Sequence, residues 1–352
     1  LERNIIEPMR DLWPELIGQI RSDNTIHMFG KKVYVLGADN KKHVARIQGT
    51  SIEYAYGDEV TTWSEDVFSM LKSRLRCRHS HFDGTCNPDN PNHWVKKFLD
   101  SDADIYHQDY VIEDGALPLH VIEELKKEYA GTVFYDRFIL GRWVAAEGVI
   151  YRNFADNPER YIIDNPPEIK FATIGVDFGG NESATAFSCT GYTNGFREVV
   201  TLEEYYQKGI TSPSALEAAF LDFVRICKSK YRVTTAYCDS AEQTLIQGLK
   251  TAALREGVGI IVKNAQKGPI NERIRAYCVL MGADRYKILR RCKHTIEALQ
   301  TAVWDGRNMT KDIRLDDGTY NIDSLDALEY STERYMNTII RLGVGDGRTC
   351  MA

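Results

Sequence analysis

Four aspartates carry the chemistry that can be read from this sequence. Asp177 closes the apolar run FATIGVD and is followed almost at once by Gly179 and Gly180; Asp239 closes a second run, TTAYCD. Asp323 and Asp326 stand three residues apart in NIDSLDALEY, a spacing that puts both on one face of a helix, opposite Leu325 and Leu328. Open α/β sheets gather their sites along the carboxyl ends of the strands, so neighbouring parallel strands would bring Asp177 and Asp239 together there. Carboxylates that close repel, and one stays protonated unless a cation neutralises the pair. Three or four acidic oxygens suit two Mg²⁺ or Mn²⁺ ions, with water completing the octahedra. Such ions activate a water and stabilise the leaving oxygen in phosphodiester cleavage. On this reading Gly179 and Gly180 clear space for a phosphate backbone and permit the turn that follows.

The elements that must position these acids follow from the pattern after residue 171. FATIGVDFG, ESATAFSCTGY and REVVTLEEYYQ are three strands joined by Gly- and Asn-containing turns, an antiparallel meander. The helix SPSALEAAFLDFVRICKSKY crosses to a fourth strand, VTTAYCDSA, and EQTLIQGLKTAALREG crosses to a fifth, VGIIVKNA. Crossover helices make those strands parallel to the first. A single Asp at a strand end is more often a turn-former. Three acids placed on a β-β-β-α-β-α-β order point instead to a site, and that order is the ribonuclease H-like fold.

The first part of the chain carries a separate signal. A helix over about 5–20 and a strand over 31–38 lead to IEYAYGDE, an apolar run ending in Asp58 and Glu59. That is the form of a Walker B strand, in which Asp58 would hold a nucleotide's Mg²⁺ and Glu59 would polarise the attacking water. An amphipathic helix with Ser64 as its N-cap and a further strand lead to GTCNP, where Thr85 and Asn87 could sense a terminal phosphate. A helix near 93–100, a short strand in IYHQDYVIE and the helix LPLHVIEELKKEYAG complete this part. No G-x-x-x-x-G-K-[ST] phosphate loop occurs in the 352 residues.

Length and composition bound the reading. At 352 residues two domains are expected; the hydrophobic share of 43%, the charged share of 27% and the lack of a long apolar stretch describe a globular chain without a membrane span. The start, Leu1 within a helix-like pattern, suggests a fragment. A net charge of -6 argues against wholesale nucleic-acid coating but leaves room for a local basic groove. Lys263, Lys267, Arg273 and Arg275 near the fifth strand read either as a solvated face or as a phosphate-gripping rim. The eight cysteines show no paired framework, so a reducing compartment is expected. Cys77, His79, His81 and Cys86 are zinc-ligand types, but same-face positions along one strand do not close a tetrahedron, and an ordinary strand is expected.

GDE, then GTCNP, ILGRWV, EGVIYRNF, GVDFG, YCDS and DSLDALEY, in that order over about residues 30–340, resemble the terminase large subunit of double-stranded DNA phages, of the prophage type. The resemblance implies a fold in two parts. Residues 1–145 would be the C-terminal part of a P-loop ATPase domain plus linker, and 146–352 a ribonuclease H-like endonuclease domain. It implies an endonuclease that cuts concatemeric double-stranded DNA, joined to an ATP-driven motor that lacks its Walker A segment here. Asp177, Asp239 and Asp326 would be the metal-binding nuclease acids, and Asp323, which stands where the family often has a histidine, an added ligand or an orienting group. The implied cofactors are two Mg²⁺ or Mn²⁺ ions and, in an intact relative, ATP. The implied partners are double-stranded DNA, a terminase small subunit and a portal protein, in the host cytoplasm and with no membrane. A cellular resolvase or recombinase of the same fold would lack the Asp58–Glu59 and GTCNP pair. A non-catalytic packaging subunit would be expected to have lost an acid, and none is lost.

Overall fold

The computed structural model describes residues 2–38, 44–115, 117–180, 183–209, 212–308 and 310–343; Glu182, at the start of the expected second strand of the meander, and Cys350 lie outside them. The chain forms two compact units, Leu1–His107 and Gln108–Ala352.

In the first unit the opening helix is shorter than its periodicity suggests. A π-helical turn, Glu2–Ile6, runs into α1 (Glu7–Leu12), which stops because Trp13, ahead of Pro14, leaves the helical region at φ -135°, ψ 65°. β1 (Thr25–Met28) and β2 (Lys31–Tyr34) form an antiparallel hairpin, of which only the second strand is legible in the sequence. After α2 (Val44–Ile47) come β3 (Tyr54–Gly57), α3 (Glu65–Arg74), β4 (His81–Gly84) and α4 (Trp94–Leu99). β3 and β4 are parallel, in register from Tyr54↔His81 to Gly57↔Gly84. Phe68 of α3 packs its ring on Phe82, Trp94 and Phe98, which ties both helices to that strand pair. IYHQDYVIE forms no strand, and Tyr106 and Tyr110 are exposed there.

The second unit begins with α5 (Leu119–Tyr129) and α6 (Arg152–Asp156). Then follow β5 (Ile162–Ile163), β6 (Phe171–Asp177), β7 (Ala184–Tyr192), β8 (Val199–Lys208), α7 (Pro213–Lys230), β9 (Val233–Cys238), α8 (Gln243–Arg255) and β10 (Ile261–Asn264). α9 (Ile270–Gly282), β11 (Tyr286–Leu289), α10 (Lys293–Thr301), α11 (Asp323–Thr332) and α12 (Met336–Gly343) complete it. Seven strands make one sheet in the order β10-β9-β6-β7-β8-β11-β5. β6, β7 and β8 are the antiparallel meander, and β9 and β10 run parallel to β6 across it. This is the ribonuclease H-like arrangement, extended at its far edge by β11 and β5, which are too short to announce themselves in the sequence.

One glycine fixes where α11 lies. Gly175, in the middle of β6, has no room for a side chain: a Cβ there would overlap the Ala327 carbonyl oxygen and meet the Ser331 amide at 2.6 Å. The helix therefore packs directly on the strand backbone. Leu325, Ala327 and Leu328 are buried against the sheet core with Ile174, Val176 and Phe187, and burial of that apolar face is the main force holding the helix in place.

Candidate active site

Asp177 is the last residue of β6, and Asp239 follows β9 directly. The last pair of the parallel β6–β9 ladder is Val176↔Cys238, and the Asp239 amide donates to the Val176 carbonyl at 3.0 Å. The two carboxylates thus leave the sheet side by side. α11 supplies the others, since Asp323 and Asp326 lie in its first turn.

The electrostatics show that all four share one region. Asp177 is only 9% exposed. Burial, and then the negative charges of Asp326, Asp323 and Asp239, push it well above the usual carboxylate range, with Lys267 pulling the other way. Asp323 is also raised, first by burial and then by Asp316 and Asp326, while the Ala184 amide at 2.8 Å from its Oδ2 and the charge of Lys208 oppose the shift. Asp239 Oδ1 accepts from the Ala241 amide at 2.8 Å and from Lys267 Nζ at 2.6 Å. Asp326 Oδ1 accepts from Arg314 Nη2 at 2.5 Å.

The donor set is all oxygen, which suits a hard divalent cation, and the buried, repelled Asp177 carboxylate is the group that calls for one. The oxygens are not already gathered into a shell: among the described residues no three His, Cys, Asp or Glu side chains stand ready around one point. Two of the acids are instead matched by protein cations. The strand expected for Cys77, His79 and His81 is shorter than the sequence suggests, because β4 starts at His81 and leaves Cys77 and His79 in the preceding turn, with Cys86 beyond its end.

Two expectations about the surroundings change. A Cβ on Gly179 would collide with the Ala184 carbonyl carbon and come within 2.7 Å of the Ser183 oxygen, so this glycine serves the close return of the chain into β7; a Cβ on Gly180 would meet only the Ser183 hydroxyl, at an ordinary 3.8 Å. The basic residues are not one rim. Arg273 is buried, its Nη1 2.8 Å from Glu329 Oε2, and Arg275 pairs with Glu272 and lies over the Phe138 ring. Of the four, Lys267 makes the close contact with an acid of the site, at Asp239, while Arg273 comes no nearer than 3.7 Å to Asp326 Oδ1. Arg314 and Glu329 escaped the sequence reading altogether: Arg314 lies in a loop without motif, and Glu329, three residues after Asp326, was hidden by an apolar neighbourhood that itself signals a buried, paired charge.

In the first unit the structure also gathers the expected residues. Asp58 and Thr85 follow the paired ends of β3 and β4, and the Thr85 hydroxyl donates to Asp58 Oδ1 at 3.3 Å. Asn87 Nδ2 donates to Glu59 Oε2 at 3.1 Å and Oε1 at 3.3 Å. Glu59 itself takes a left-handed backbone, φ 51°, which turns its carboxylate away from the strand line toward Asn87.

The first unit thus carries a pair of parallel strands followed by acids, and the second a ribonuclease H-like sheet with Asp177 and Asp239 at the carboxyl ends of neighbouring strands and Asp323 and Asp326 in the first turn of α11. Residues 2–156 match the family described as terminase large subunit, T4likevirus-type, N-terminal. The large terminase of a thermophilic bacteriophage is similar over 97% of this chain and 83% of its own, at 24% identity and a TM-score of 0.82. That same phage enzyme in complex with ADP matches at 23% identity and a TM-score of 0.80, over 97% and 84% of the two chains. No curated protein matches. The family match is confined to residues 2–156, and the chain as a whole has the fold of a phage large terminase. Among the described residues no helix is long and apolar enough to cross a membrane.

Proposed function

We propose that the chain is a DNA-packaging terminase large subunit whose ribonuclease H-like unit is a metal-dependent endonuclease for double-stranded DNA. The observation that carries this reading is the burial of Asp177 among Asp239, Asp323 and Asp326. Asp177, Asp239 and Asp326 would hold two Mg²⁺ or Mn²⁺ ions, and Asp323, already bonded to the Ala184 amide, would orient the start of β7 and add negative charge without touching metal. Bound ions of this kind supply an activated water and stabilise the leaving oxygen. The chain's own residues set the approach: Lys267, at Asp239, would offer a cation to a phosphate or yield its place to a metal.

Asp58 and Glu59, with Thr85 and Asn87, form the hydrolytic side of a nucleotide site. Asp58 would hold Mg²⁺ and Glu59 would polarise water. The ADP complex of the similar thermophilic phage large terminase supports nucleotide use. We place the functional boundary at 145/146, with a partial ATPase that lacks its Walker A segment and a linker before it, and the nuclease after it. The partners would be double-stranded DNA, a terminase small subunit and a portal protein, in the cytoplasm of the phage's host. The test is incubation of supercoiled plasmid with the purified chain in Mn²⁺ and in EDTA. Relaxation and linearisation in Mn²⁺ alone, lost in Asp239→Asn, is the expected outcome; cutting that persists in EDTA, or in Asp239→Asn, overturns the reading.

A further inference from the structure

Beneath the acids lies a group of charges that the proposed reaction does not use. Arg314 is almost wholly buried and divides its guanidinium between two acids, Nη1 donating to Glu329 Oε1 at 2.6 Å and Nη2 to Asp326 Oδ1 at 2.5 Å. Arg273 completes the group, with Nη1 2.8 Å from Glu329 Oε2, a charge contact poorly aligned for a hydrogen bond, and 3.7 Å from Asp326 Oδ1. The Tyr151 hydroxyl also donates to Glu329 Oε1 at 3.3 Å. Two arginines and two acids balance, so the cost of burying each charge is met by its partners.

The contacts on Asp326 are one-sided. Both arginines make their nearest approach to Oδ1, and among the described residues no hydrogen bond is formed to Oδ2. A carboxylate gripped by one oxygen is fixed about its χ angles while its second oxygen stays available. The grip is itself rigid. The loop that delivers Arg314 is bonded on both sides, the Asp305 amide to the Ile313 carbonyl at 2.7 Å and the Leu315 amide to the Val303 carbonyl at 2.9 Å. Asp312, two residues earlier, is buried and accepts from Arg137 and from the Ala146 amide.

We propose that Arg314 is a positioning residue for the metal site: held by Glu329, it fixes the Asp326 carboxylate so that one oxygen is presented to a divalent cation. This rests on the nuclease reading above. The fork geometry is essential, because a lysine at the same place carries the charge but presents one compact ammonium to two separate acids. Groups that orient metal-ligating side chains in this way typically contribute 10- to 100-fold in metal affinity when removed.

The experiment compares the parent chain with Arg314→Lys by calorimetric titration with Mn²⁺, by the electron paramagnetic resonance of the bound ion and by the Mn²⁺ dependence of plasmid cutting. The expected result is about 10- to 100-fold weaker Mn²⁺ binding, an altered resonance, and a kcat that returns toward the parent value at high Mn²⁺ with an unchanged KM for DNA. Arg314→Gln combined with Glu329→Gln, which removes one buried charge of each sign, is the second variant and should weaken Mn²⁺ binding likewise. A folded variant that binds Mn²⁺ and responds to it like the parent overturns the proposal and leaves the nuclease reading standing. A parent chain that neither binds Mn²⁺ nor cuts DNA defeats that reading first. Failure of both variants to fold makes Arg314 a folding residue and also overturns the proposal.

Discussion

Asp58 and Glu59 in the first unit, and Asp177 and Asp239 in the second, all stand at the carboxyl ends of parallel strands, yet their surroundings differ in kind. Glu59 is exposed and receives an amide, and Asp58 receives a hydroxyl, both uncharged donors. Asp177 is buried with three like charges around it, while Asp239 and Asp326 are met by Lys267 and Arg314. Neutral donors can orient a carboxylate but leave its charge to water. A buried cluster has no such outlet, and its excess charge must be met by protons, by protein cations or by metal. On the proposed reading the first pair would act on something that arrives with its own phosphate and metal, and the second would take up cations itself.

The comparison is broken most forcefully by removing acids from the second cluster. Asp326→Ala should reduce Mn²⁺-dependent cutting to background, whereas Asp323→Ala should weaken metal affinity by roughly 10- to 100-fold, as expected for an orienting group, with activity recovering at high Mn²⁺. Equal, unrecoverable losses in both would make Asp323 a direct ligand. Cutting rates across a Mn²⁺ series decide between these.

A second, smaller effect concerns stability. The folded-state pKa of Asp177 is raised, so the folded chain binds that proton more tightly than the unfolded chain does. The resulting stability is fully present below the unfolded pKa near 3.8 and is lost as pH rises through the higher folded value. Asp177→Asn should therefore melt above the parent at neutral pH in EDTA, and the gap should close as pH falls toward 4. Mn²⁺ should raise the parent's melting temperature and leave the variant's unchanged. Melting curves at several pH values check both signs, and a variant less stable than the parent at neutral pH would show that the carboxylate is not strained.

The smallest effects belong to the first unit. Phosphoryl transfer depends chiefly on a phosphate-binding loop and its lysine, and these 352 residues contain no such motif. The chain should show no measurable ATP turnover and no thermal shift with ATP-Mg²⁺, and Asn87→Ala should leave plasmid cutting unchanged. Micromolar ATP binding by calorimetry would mean that another segment cradles the phosphates.

The order of strands and the positions of all four aspartates were legible because apolar runs end abruptly at Asp177 and Asp239, and because the i, i+3 pair of α11 has a clear apolar opposite face. The two edge strands were not, since β11 has four residues and β5 two, too few for periodicity to register. Nor could the sequence assign Gly175, whose role depends on a helix far downstream, or separate Arg273 from Arg275. Both are basic residues of one helix, and only the packing of α11 decides that one is buried against Glu329 while the other lies over Phe138. Buried ion pairs are tertiary facts, and local sequence carries little trace of them.

The most direct measurement is the anomalous density of Mn²⁺ in a crystal of the chain soaked with that ion. Density in contact with the carboxylates of Asp177 and Asp239, and with Asp326 Oδ2, is the predicted result, with Lys267 displaced from Asp239. Saturating Mn²⁺ that supports DNA cutting yet leaves no density at Asp177 would contradict it.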